Sequence, residues 1–381
     1  MKLQGAWIEA AHVQKVLAML EAGGHQALLV GGCVRNAALH QPVSDIDIAT
    51  DALPERVIAL AEAAGFKPVP TGIAHGTVTV VADHVGHEIT TFRRDVETHG
   101  RHATVAFSTD VTEDAARRDF TMNALYARAD GTVIDPLGSG LADLAARHLR
   151  FVGDPEKRIA EDYLRILRFF RFTAWYGDPQ RGIDADGLAA CGALSAGIET
   201  LSRERIGHEM LRLLTAPDPA PAVAAMAAAG VLALALPGAE ARPLAPLVHL
   251  EAGRAPDPIR RLAALGGEDV AERLRLSKAE AKRLGRLREA ATEDLAPEVL
   301  GYRYGARDGE DALLLRAALI GEEIAENRWN RVEFGAAQRF PIRANDLMPH
   351  YSGAALGARL AELEARWIAS GFTLDRGALL G

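Results

Sequence analysis

The sequence predicts an α+β chain in which a strand-containing head precedes a remainder built of helices. From about Gln26 to Asp143, short β-rich runs alternate with helical stretches and with Gly or Pro punctuation; the runs are ALLV, GTVTVVA, HEITTF and TVID. After Asp143, segments rich in Ala, Leu, Glu and Arg continue with helical spacing. A chain of 381 residues, 49% of them hydrophobic, can bury more than one core, so we expect two or three packed units.

The cysteines and the apolar runs limit the class of protein. Cys33 and Cys191 are the only cysteines and lie far apart, which argues against a disulfide framework or a thiolate zinc site and fits a reducing cytoplasm. The N-terminal segment MKLQGAWIEAAHVQKVLAML is typical of an amphipathic helix, not of a signal peptide. The apolar run from Ala222 to Leu236 is shorter than the roughly 20 residues that span a bilayer. We therefore expect a single buried helix there and no membrane segment.

The net charge of −8 disfavours a nucleic acid bound over the whole surface, because phosphates require a positive footprint. Any RNA site must therefore be local. Two basic segments are candidates, RILRFFR from Arg165 to Arg171 and RLRLSKAEAKRLGRLRE from Arg273 to Glu289. Taken alone, each segment is more simply explained as a solvated helix face.

A glycine-containing turn is the first candidate for nucleotide chemistry. The segment ALLVGGCVRN predicts a strand that ends in Gly31 and Gly32, followed by a helix that opens with Val34 and Arg35. Such a turn lets backbone N–H groups approach a phosphate, and Arg35 adds positive charge. Glycines after a strand usually only make a turn. The interpretation of this segment as a phosphate-binding turn therefore depends on the acidic residues downstream of it.

Closely spaced carboxylates come after that turn. In SDIDIAT, Asp45 and Asp47 are spaced to leave the same face of a strand. Two such carboxylates repel each other unless a divalent cation lies between them, and hard oxygen ligands favour Mg²⁺. HEITTF places Glu88 where a third carboxylate would complete a two-metal site, the alternative being a surface glutamate. We expect His84 and His87 to be surface residues.

Two further segments carry polar groups at suggestive spacings. RRDFTMNAL places Arg118, Asp119 and Asn123 at the start of a predicted helix, where arginine suits a triphosphate and the other two suit sugar hydroxyls. EDYLRILRFFRF sets Asp162 and Arg165 three apart on a predicted helix, and an intrahelical salt bridge is the default explanation. Beside a nucleotide, the same pair could instead bind the amino group and the ring acceptor of cytosine or adenine.

Six segments resemble, in order and spacing, the motifs of the class II tRNA nucleotidyltransferase and bacterial poly(A) polymerase family. They are GGCVRN, SDIDIAT, RRDFTMNAL, DPLGSGLADL, EDYLRILRFFRF and SRERIGHEM. The C-terminal FPIRANDLM and GARLAELEARWIASGF resemble the tail of CCA-adding members. The resemblance implies a polymerase-beta-like nucleotidyltransferase head (1–143), a helical neck with a nucleobase-template helix (144–215), and a helical body and tail that bind tRNA (216–381).

The resemblance also implies roles for the site residues. Asp45 and Asp47 would bind the catalytic metal, for which we expect Mg²⁺, and Glu88 remains the candidate third carboxylate. The expected nucleotide-binding residues are Gly31, Gly32, Arg35, Arg118, Asp119, Asn123, Asp162, Arg165, Arg168 and Arg171. Among them, Asp162 and Arg165 would pair with the base of CTP or ATP, and we predict that Arg168 and Arg171 contact phosphate.

The implied activity is the template-independent addition of C, C and A to the 3' end of tRNA. The RNA 3'-OH would attack the α-phosphate of CTP or ATP in a two-metal, in-line transfer, with one metal activating the hydroxyl and the other stabilising departing pyrophosphate. The helical regions would hold the acceptor arm of tRNA. A poly(A) polymerase, a partial CC-adding or A-adding enzyme, and a non-catalytic RNA-binding module that kept the fold are the alternatives.

Two departures from the family pattern affect these expectations. Asn36 stands where the family usually has Asp, which puts an interaction of that carboxylate in doubt. ETHGRHATVAF differs from the usual wording of the flexible loop that the family links to the switch from C to A addition. Because the segment from Asp95 to Thr112 is not obviously shortened, we expect the switch to survive.

Overall fold

A mixed seven-stranded sheet organises the first part of the chain in the computed structural model, which describes residues 1–99, 102–348 and 350–381. The strands are β1 (Ala27–Val30), β2 (Asp47–Thr50), β3 (Lys67–Gly72), β4 (Thr77–Ala82), β5 (Val85–Thr91), β6 (Arg93–His99), β7 (His102–Phe107), β8 (Tyr126–Ala127) and β9 (Val133–Ile134). The order in the sheet is β3-β4-β5-β2-β1-β8-β9, and β6 and β7 form a separate hairpin. β2 and β5 are parallel, whereas the other neighbours run antiparallel.

The described chain divides into two units. Unit 1 is Met1–Pro237 and unit 2 is Gly238–Gly381. No helix in the described part of the chain is both long and apolar enough to cross a membrane. The head, neck and body-and-tail boundaries that the sequence suggested (1–143, 144–215 and 216–381) stay predictions.

Hydrophobic patterning explains the sheet. All four residues of β1 are buried, as expected for a continuous apolar run at the centre of a sheet. β4 alternates half-buried Thr or Val with buried Val or Ala, the period of a strand with one covered face. In β2 only Asp47 is exposed, and the three residues after it are buried. The sheet therefore fixes the place of this aspartate at the edge of the core.

Helices cover the sheet and continue the chain in unit 1. They are α1 (Ala6–Glu9), α2 (Ala11–Ala22), α3 (Gly32–Ala38), α4 (Pro54–Ala63), α5 (Val111–Ala116), α6 (Gly140–Ala145), α7 (Pro155–Glu161), α8 (Leu164–Tyr176), α9 (Ala185–Ala193), α10 (Arg203–Leu214), α11 (Ala220–Ala228) and α12 (Val231–Ala235). α2 and α4 pack against the sheet through apolar side chains such as Val16, Leu20 and Val57. Short 3-10 turns cover Ile73–His75, Thr121–Asn123 and Ser195–Thr200.

The prediction of one buried helix from Ala222 to Leu236 is wrong. The segment belongs to two helices, α11 and α12, which are separated at Gly230. Gly230 has a φ of 73°, a left-handed conformation that glycine adopts without a steric penalty. The run is buried as expected, because Val223, Met226, Val231 and Leu232 are all in the core.

The regular elements of unit 2 are helices in its described residues, which agrees with the predicted α+β class. Its helices are α13 (Leu244–Leu250), α14 (Pro258–Leu265), α15 (Val270–Arg273), α16 (Lys278–Thr292), α17 (Pro297–Ile320), α18 (Glu326–Ala337), α19 (Ala344–Leu347), α20 (Gly353–Ala369) and α21 (Arg376–Leu380). Ser277 and Glu280 form a capping box at the start of α16. Leu363 and Trp367 of the apolar stripe on α20 are buried in the core of this unit.

The basic segment on α16 is largely used inside unit 2. Arg283 forms ion pairs with Asp257, Asp308 and Asp311, and burial opposes but does not prevent a raised pKa of this guanidinium. Arg288 donates to the backbone carbonyls of Gly266 and Gly267. These two arginines therefore stabilise helix packing and contribute less to a basic outer face than the sequence alone indicates.

The packing of α17 against α18 leaves no room for a side chain at Gly335. An added Cβ would lie 1.8 Å from the carbonyl oxygen of Glu298. We predict that Gly335→Ala lowers the free energy of unfolding by about 3 kcal/mol, measured by urea unfolding, because the helices must separate. Gly357→Ala in α20 is the control: it meets open space and should stabilise by up to about 1 kcal/mol. Equal stabilities would contradict this packing.

Candidate active site

The turn after β1 forms one wall of the site. Gly31 has a φ of 72°, and a Cβ there would lie 3.3 Å from a terminal guanidinium nitrogen of Arg118. Both facts explain the glycine, because a side chain would be strained and would crowd the arginine. α3 begins at Gly32, two residues before the start predicted at Val34, and Arg35 therefore lies in its interior.

The carboxylates lie beside this turn, but not on one strand as predicted. β2 begins at Asp47, so Asp45 belongs to the preceding loop, where Ser44 Oγ donates a hydrogen bond of 3.2 Å to its carboxylate. Asp47 is in direct register with Glu88 of the parallel strand β5. Partial burial raises the pKa of Asp47, and the negative charges of Glu88 and Asp45 raise it further. These carboxylates therefore repel each other in the protein.

Such a donor set fits a divalent cation. Carboxylate oxygens are hard ligands, and a cation would relieve the repulsion that raises the pKa of Asp47. In the described residues, no group of three or more His, Cys, Asp or Glu side chains converges as a ready metal cluster. Asp45 and Asp47 are thus the candidate ligands, and Glu88 lies on the neighbouring strand.

A polar cavity of about 390 Å³ opens between this loop and α8, and we call it the arginine pocket. Gly31, Gly32, Asp45 and Asp47 line it on the sheet side. Its described lining also carries the arginines Arg35, Arg118, Arg168, Arg171 and Arg212. Guanidinium groups at this density suit a polyanion such as a triphosphate.

Arg35 makes its side-chain hydrogen bonds to neutral groups. It is buried and donates hydrogen bonds to Asn123 Oδ1 (2.5 Å), Asn36 Oδ1 (2.8 Å) and Tyr176 Oη (2.8 Å), all neutral groups. Its guanidinium also lies 4.0 Å from the centre of the Tyr176 ring. Burial lowers the pKa of Arg35, which shows that its positive charge is costly here. A bound anion would offset that cost.

Asn36 contacts Arg35 through a neutral amide. Its Oδ1 accepts two hydrogen bonds from Arg35, and its Nδ2 donates to the carbonyl of Pro42. A carboxylate at this position would neutralise Arg35, whereas the amide orients the guanidinium and leaves its charge in place.

Arg118, Asp119 and Asn123 meet in the pocket, although the predicted helix start is wrong. They follow the end of α5, and Asn123 ends the 3-10 turn Thr121–Asn123. Arg118 donates to Tyr126 Oη (3.1 Å) and pairs with Asp114 (3.0 Å). Neither partner was recognised from the sequence, although Asp114 lies four residues before Arg118, a helical spacing that could have indicated the pair.

Asp119 and Arg168 form a fixed pair. Arg168 Nε donates to Asp119 Oδ2 at 2.8 Å, and Asn123 Nδ2 donates to Asp119 Oδ1 at 2.9 Å. Although burial opposes it, Arg168 and Asn123 hold the pKa of Asp119 below its usual range. Asp119 therefore stays ionised and orients both neighbours.

Arg171 also has a protein partner. Its Nε donates to Glu209 of α10 at 2.6 Å, and both side chains are buried. Arg168 lies 3.9 Å from the same carboxylate. Glu209 was not recognised from the sequence, although it belongs to the SRERIGHEM motif.

The intrahelical pair of Asp162 and Arg165 does not form. Asp162 lies between α7 and α8, and its Oδ2 accepts a 2.6 Å hydrogen bond from Arg205. Arg165 pairs with Glu161 and donates to the carbonyls of Arg158 (2.6 Å) and Arg117 (3.4 Å). Neither side chain lines the arginine pocket, but Arg168, one turn along α8 from Arg165, does.

A second cavity, of about 520 Å³, shares Ser44, Asp45 and Asp47 with the arginine pocket, and we call it the histidine pocket. It is lined by His12, Ser44, Asp45, Ile46, Asp47, Val85, Gly86, His87 and Glu88. The expectation that His87 lies at the surface is wrong, because α2 covers it and only 2% of it is exposed. His12 Nδ1 and His87 Nε2 are 3.0 Å apart. Burial and the neighbouring His12 lower the pKa of His87.

Known protein families match this chain over the regions that build the site. The family model described as poly A polymerase head domain matches residues 27–150. The one described as probable RNA and SrmB-binding site of polymerase A matches residues 182–242. CCA tRNA nucleotidyltransferase 1, mitochondrial, of Mus musculus is 31% identical over 401 residues, which cover all of this chain and 92% of the mouse protein. The chain belongs to the CCA-adding tRNA nucleotidyltransferase family.

Bacterial CCA-adding enzymes agree with this membership. That of Leuconostoc citreum is 41% identical over 216 residues, 56% of this chain and 52% of the enzyme, so this match spans about half of each. The Bacillus stearothermophilus CCA-adding enzyme in complex with CTP superposes with a TM-score of 0.74 at 28% identity. That match covers 94% of this chain and 92% of the other.

A Thermotoga maritima CCA-adding enzyme complexed with tRNA superposes with a TM-score of 0.69. At 16% identity, over 100% of this chain and 98% of the other, this likeness shows the fold alone.

The loop that departs from the family wording is described in part. β6 and β7 form a hairpin within it, and Gly100 and Arg101 lie outside the described residues. The expectation that the nucleotide switch from C to A addition survives stays a prediction. The roles expected for the individual site residues are likewise proposals.

The burial of Arg171 and Glu209 generates a stability prediction. Arg171→Met should lower the free energy of unfolding by about 3–5 kcal/mol in urea unfolding, because Glu209 is left charged and largely unpaired. The double variant Arg171→Met/Glu209→Leu is the matched control and should regain most of that loss. A loss below about 1 kcal/mol in the single variant would show that this arginine does not serve the fold.

Proposed function

We propose that this chain adds C, C and A to the 3' end of tRNA, using CTP and ATP and no nucleic acid template. The observation that carries the proposal is one pocket lined by Asp45 and Asp47 together with a group of arginines that includes Arg35, whose hydrogen-bond partners are neutral. The mouse relative is named a CCA tRNA nucleotidyltransferase, and the structure of the Bacillus CCA-adding enzyme is a complex with CTP. The membership and the pocket chemistry thus support the same reaction.

The arginine pocket is proposed to bind the nucleoside triphosphate. Arg35 would bind phosphate oxygens, because its present partners are neutral and an anion would offset its buried charge. Gly31 and Gly32 would let the backbone approach the phosphates. Arg118 would add a second phosphate contact while Asp114 and Tyr126 hold it in place.

The remaining pocket residues are proposed to orient the nucleotide. Asp119 and Asn123 would lie near the sugar and the phosphates. Arg168 and Arg171 would add positive charge beside the phosphates. Their ion pairs with Asp119 and Glu209 indicate that they mainly hold the side chains of the pocket in place. Direct phosphate contact therefore stays a proposal for Arg168 and is less favoured for Arg171.

Members of this family are nucleotidyltransferases that use a divalent metal. We propose that the metal is Mg²⁺ and that Asp45 and Asp47 hold it, with Glu88 beside them as a further carboxylate. The ion would supply the positive charge that activates a hydroxyl nucleophile and stabilises departing pyrophosphate. The carboxylates orient the hydroxyl end of the RNA towards the α-phosphate.

Asp162 and Arg165 are proposed to select the base. The carboxylate of Asp162 would accept from the exocyclic amino group of cytosine or adenine, and Arg165 would donate to a ring acceptor. Both side chains have other partners in this structure, so binding requires Asp162 to leave Arg205 and Arg165 to leave Glu161. Uracil and guanine present a carbonyl where the amino group is needed.

A cytoplasmic location is proposed from the cysteines. Cys33 and Cys191 are both buried and unpaired, which fits a reducing compartment.

The activity is tested by incubating the protein with tRNA that lacks its CCA end, CTP, ATP and Mg²⁺, and by sequencing the product. We expect addition of CCA, and a loss of more than about 100-fold in Asp45→Ala with tRNA binding retained, because a metal ligand is removed. Asp130→Ala, at an exposed turn, is the control and should retain activity. A long adenylate tail would identify a poly(A) polymerase instead, and an active Asp45→Ala would contradict the metal assignment.

Base selection is tested with Arg165→Ala. Discrimination of CTP and ATP against UTP and GTP should fall by about 10- to 100-fold, with a smaller change in the KM for CTP, because a base contact is lost. Arg158→Ala is the matched control, since it also loses a pairing with Glu161 but is not proposed to contact the base. Equal loss of discrimination in both variants would assign Arg165 a structural role.

A further inference from the structure

The two pockets of the site meet at the aspartates. Ser44, Asp45 and Asp47 line both the arginine pocket and the histidine pocket. The sheet order explains this, because β2 lies between β1, which leads into Gly31, and β5, which carries Glu88. Asp47 therefore stands between two cavities that open towards different neighbouring strands.

The histidine pocket exists because β5 is longer than β2. Asp47, the first residue of β2, pairs with Glu88, whereas Val85, Gly86 and His87 pair with β4 alone. The sheet thus has a step at this point, and His12 of α2 reaches the step from the helix side. The step leaves a cavity next to the carboxylates.

The chemistry of the two pockets is complementary. The arginine pocket contains guanidinium groups for phosphates, whereas the described lining of the histidine pocket contains no Lys or Arg. Its polar groups are carboxylates, a hydroxyl and two imidazoles, which suit the hydroxyls and the base of a nucleoside rather than a second triphosphate.

The reaction also requires a site for the RNA end that carries the attacking hydroxyl. In phosphoryl transfer the attacking and leaving oxygens are roughly in line, so the attacking hydroxyl enters opposite the departing pyrophosphate. If the triphosphate occupies the arginine pocket, the RNA end approaches the aspartates from the histidine pocket.

We propose that the histidine pocket binds the 3'-terminal nucleotide of the acceptor RNA, with the imidazole of His12 against its base. The inference rests on the proposed function. His12 is half-buried and lines the pocket, whereas His87 is buried and holds the His12 ring through the 3.0 Å contact between Nδ1 and Nε2. The rings are also stacked, with centroids 5.0 Å apart. His87 is thus a positioning residue, and His12 contacts the RNA.

The experiment compares KM for RNA with KM for CTP in the full-length protein. His12→Ala should raise the KM for tRNA lacking CCA about tenfold, the usual effect of removing an aromatic face from a stacked base. The KM for CTP should change less than about twofold. His12→Phe keeps a ring face and should restore most of the affinity for RNA.

The control is His84→Asn, which changes a nearby histidine that does not line the pocket. An unchanged KM for RNA in His12→Ala, an equal rise in both KM values, or the same effect in His84→Asn would overturn the inference. A wild-type protein that extends RNA in those cases would leave the proposed function standing. A wild-type protein that extends no RNA would overturn both.

A second measurement does not depend on a variant that folds. Acceptor RNA ending in 4-thiouridine is photo-crosslinked to the wild-type protein, and the attached peptides are identified by mass spectrometry. Attachment to α2 or β5 residues of the histidine pocket supports the inference. Attachment elsewhere, with those residues unmodified, would contradict it.

Discussion

Like charges held at the edge of a buried sheet are the constraint on which this site depends. The parallel pairing of β2 with β5 places Asp47 beside Glu88, and the residues that come after Asp47 are locked in the core. Burial raises the pKa of Asp47, and the charge of Glu88, which strand pairing places beside it, raises that pKa further. A bound cation would relieve the repulsion between these carboxylates, so their arrangement favours cation binding.

The arginines of the arginine pocket have two kinds of partner. Arg118 and Arg168 are paired with carboxylates that fix their geometry, whereas Arg35 has only neutral hydrogen-bond partners in the described structure. Paired arginines are oriented before a ligand arrives, and the unpaired charge supplies attraction. Asn36 is central to this division, since an amide orients Arg35 without neutralising it.

Structural features that depend on residues close together in the sequence could be predicted from local patterns. The α+β class and the strand around Leu28 follow from hydrophobic period and turn chemistry, and the structure confirms them. The approach of Gly31 to Arg118 also agrees with the predicted association of their segments.

Three features that the sequence did not reveal share a physical origin. Asp162 pairs with Arg205 and Arg171 pairs with Glu209, partners some forty positions away that helical spacing does not reveal. His87 is buried because α2 covers β5, a packing that the polarity of histidine conceals. Tertiary partners decided each of these cases.

The most direct measurement is a crystal structure of the protein with Mn²⁺ and a non-hydrolysable CTP analogue, using anomalous scattering at the manganese edge. We predict a manganese peak bound by Asp45 and Asp47, phosphates at Arg35, and the cytosine amino group facing Asp162. A manganese peak remote from both aspartates, or a cytosine edge read by other side chains, would contradict these assignments.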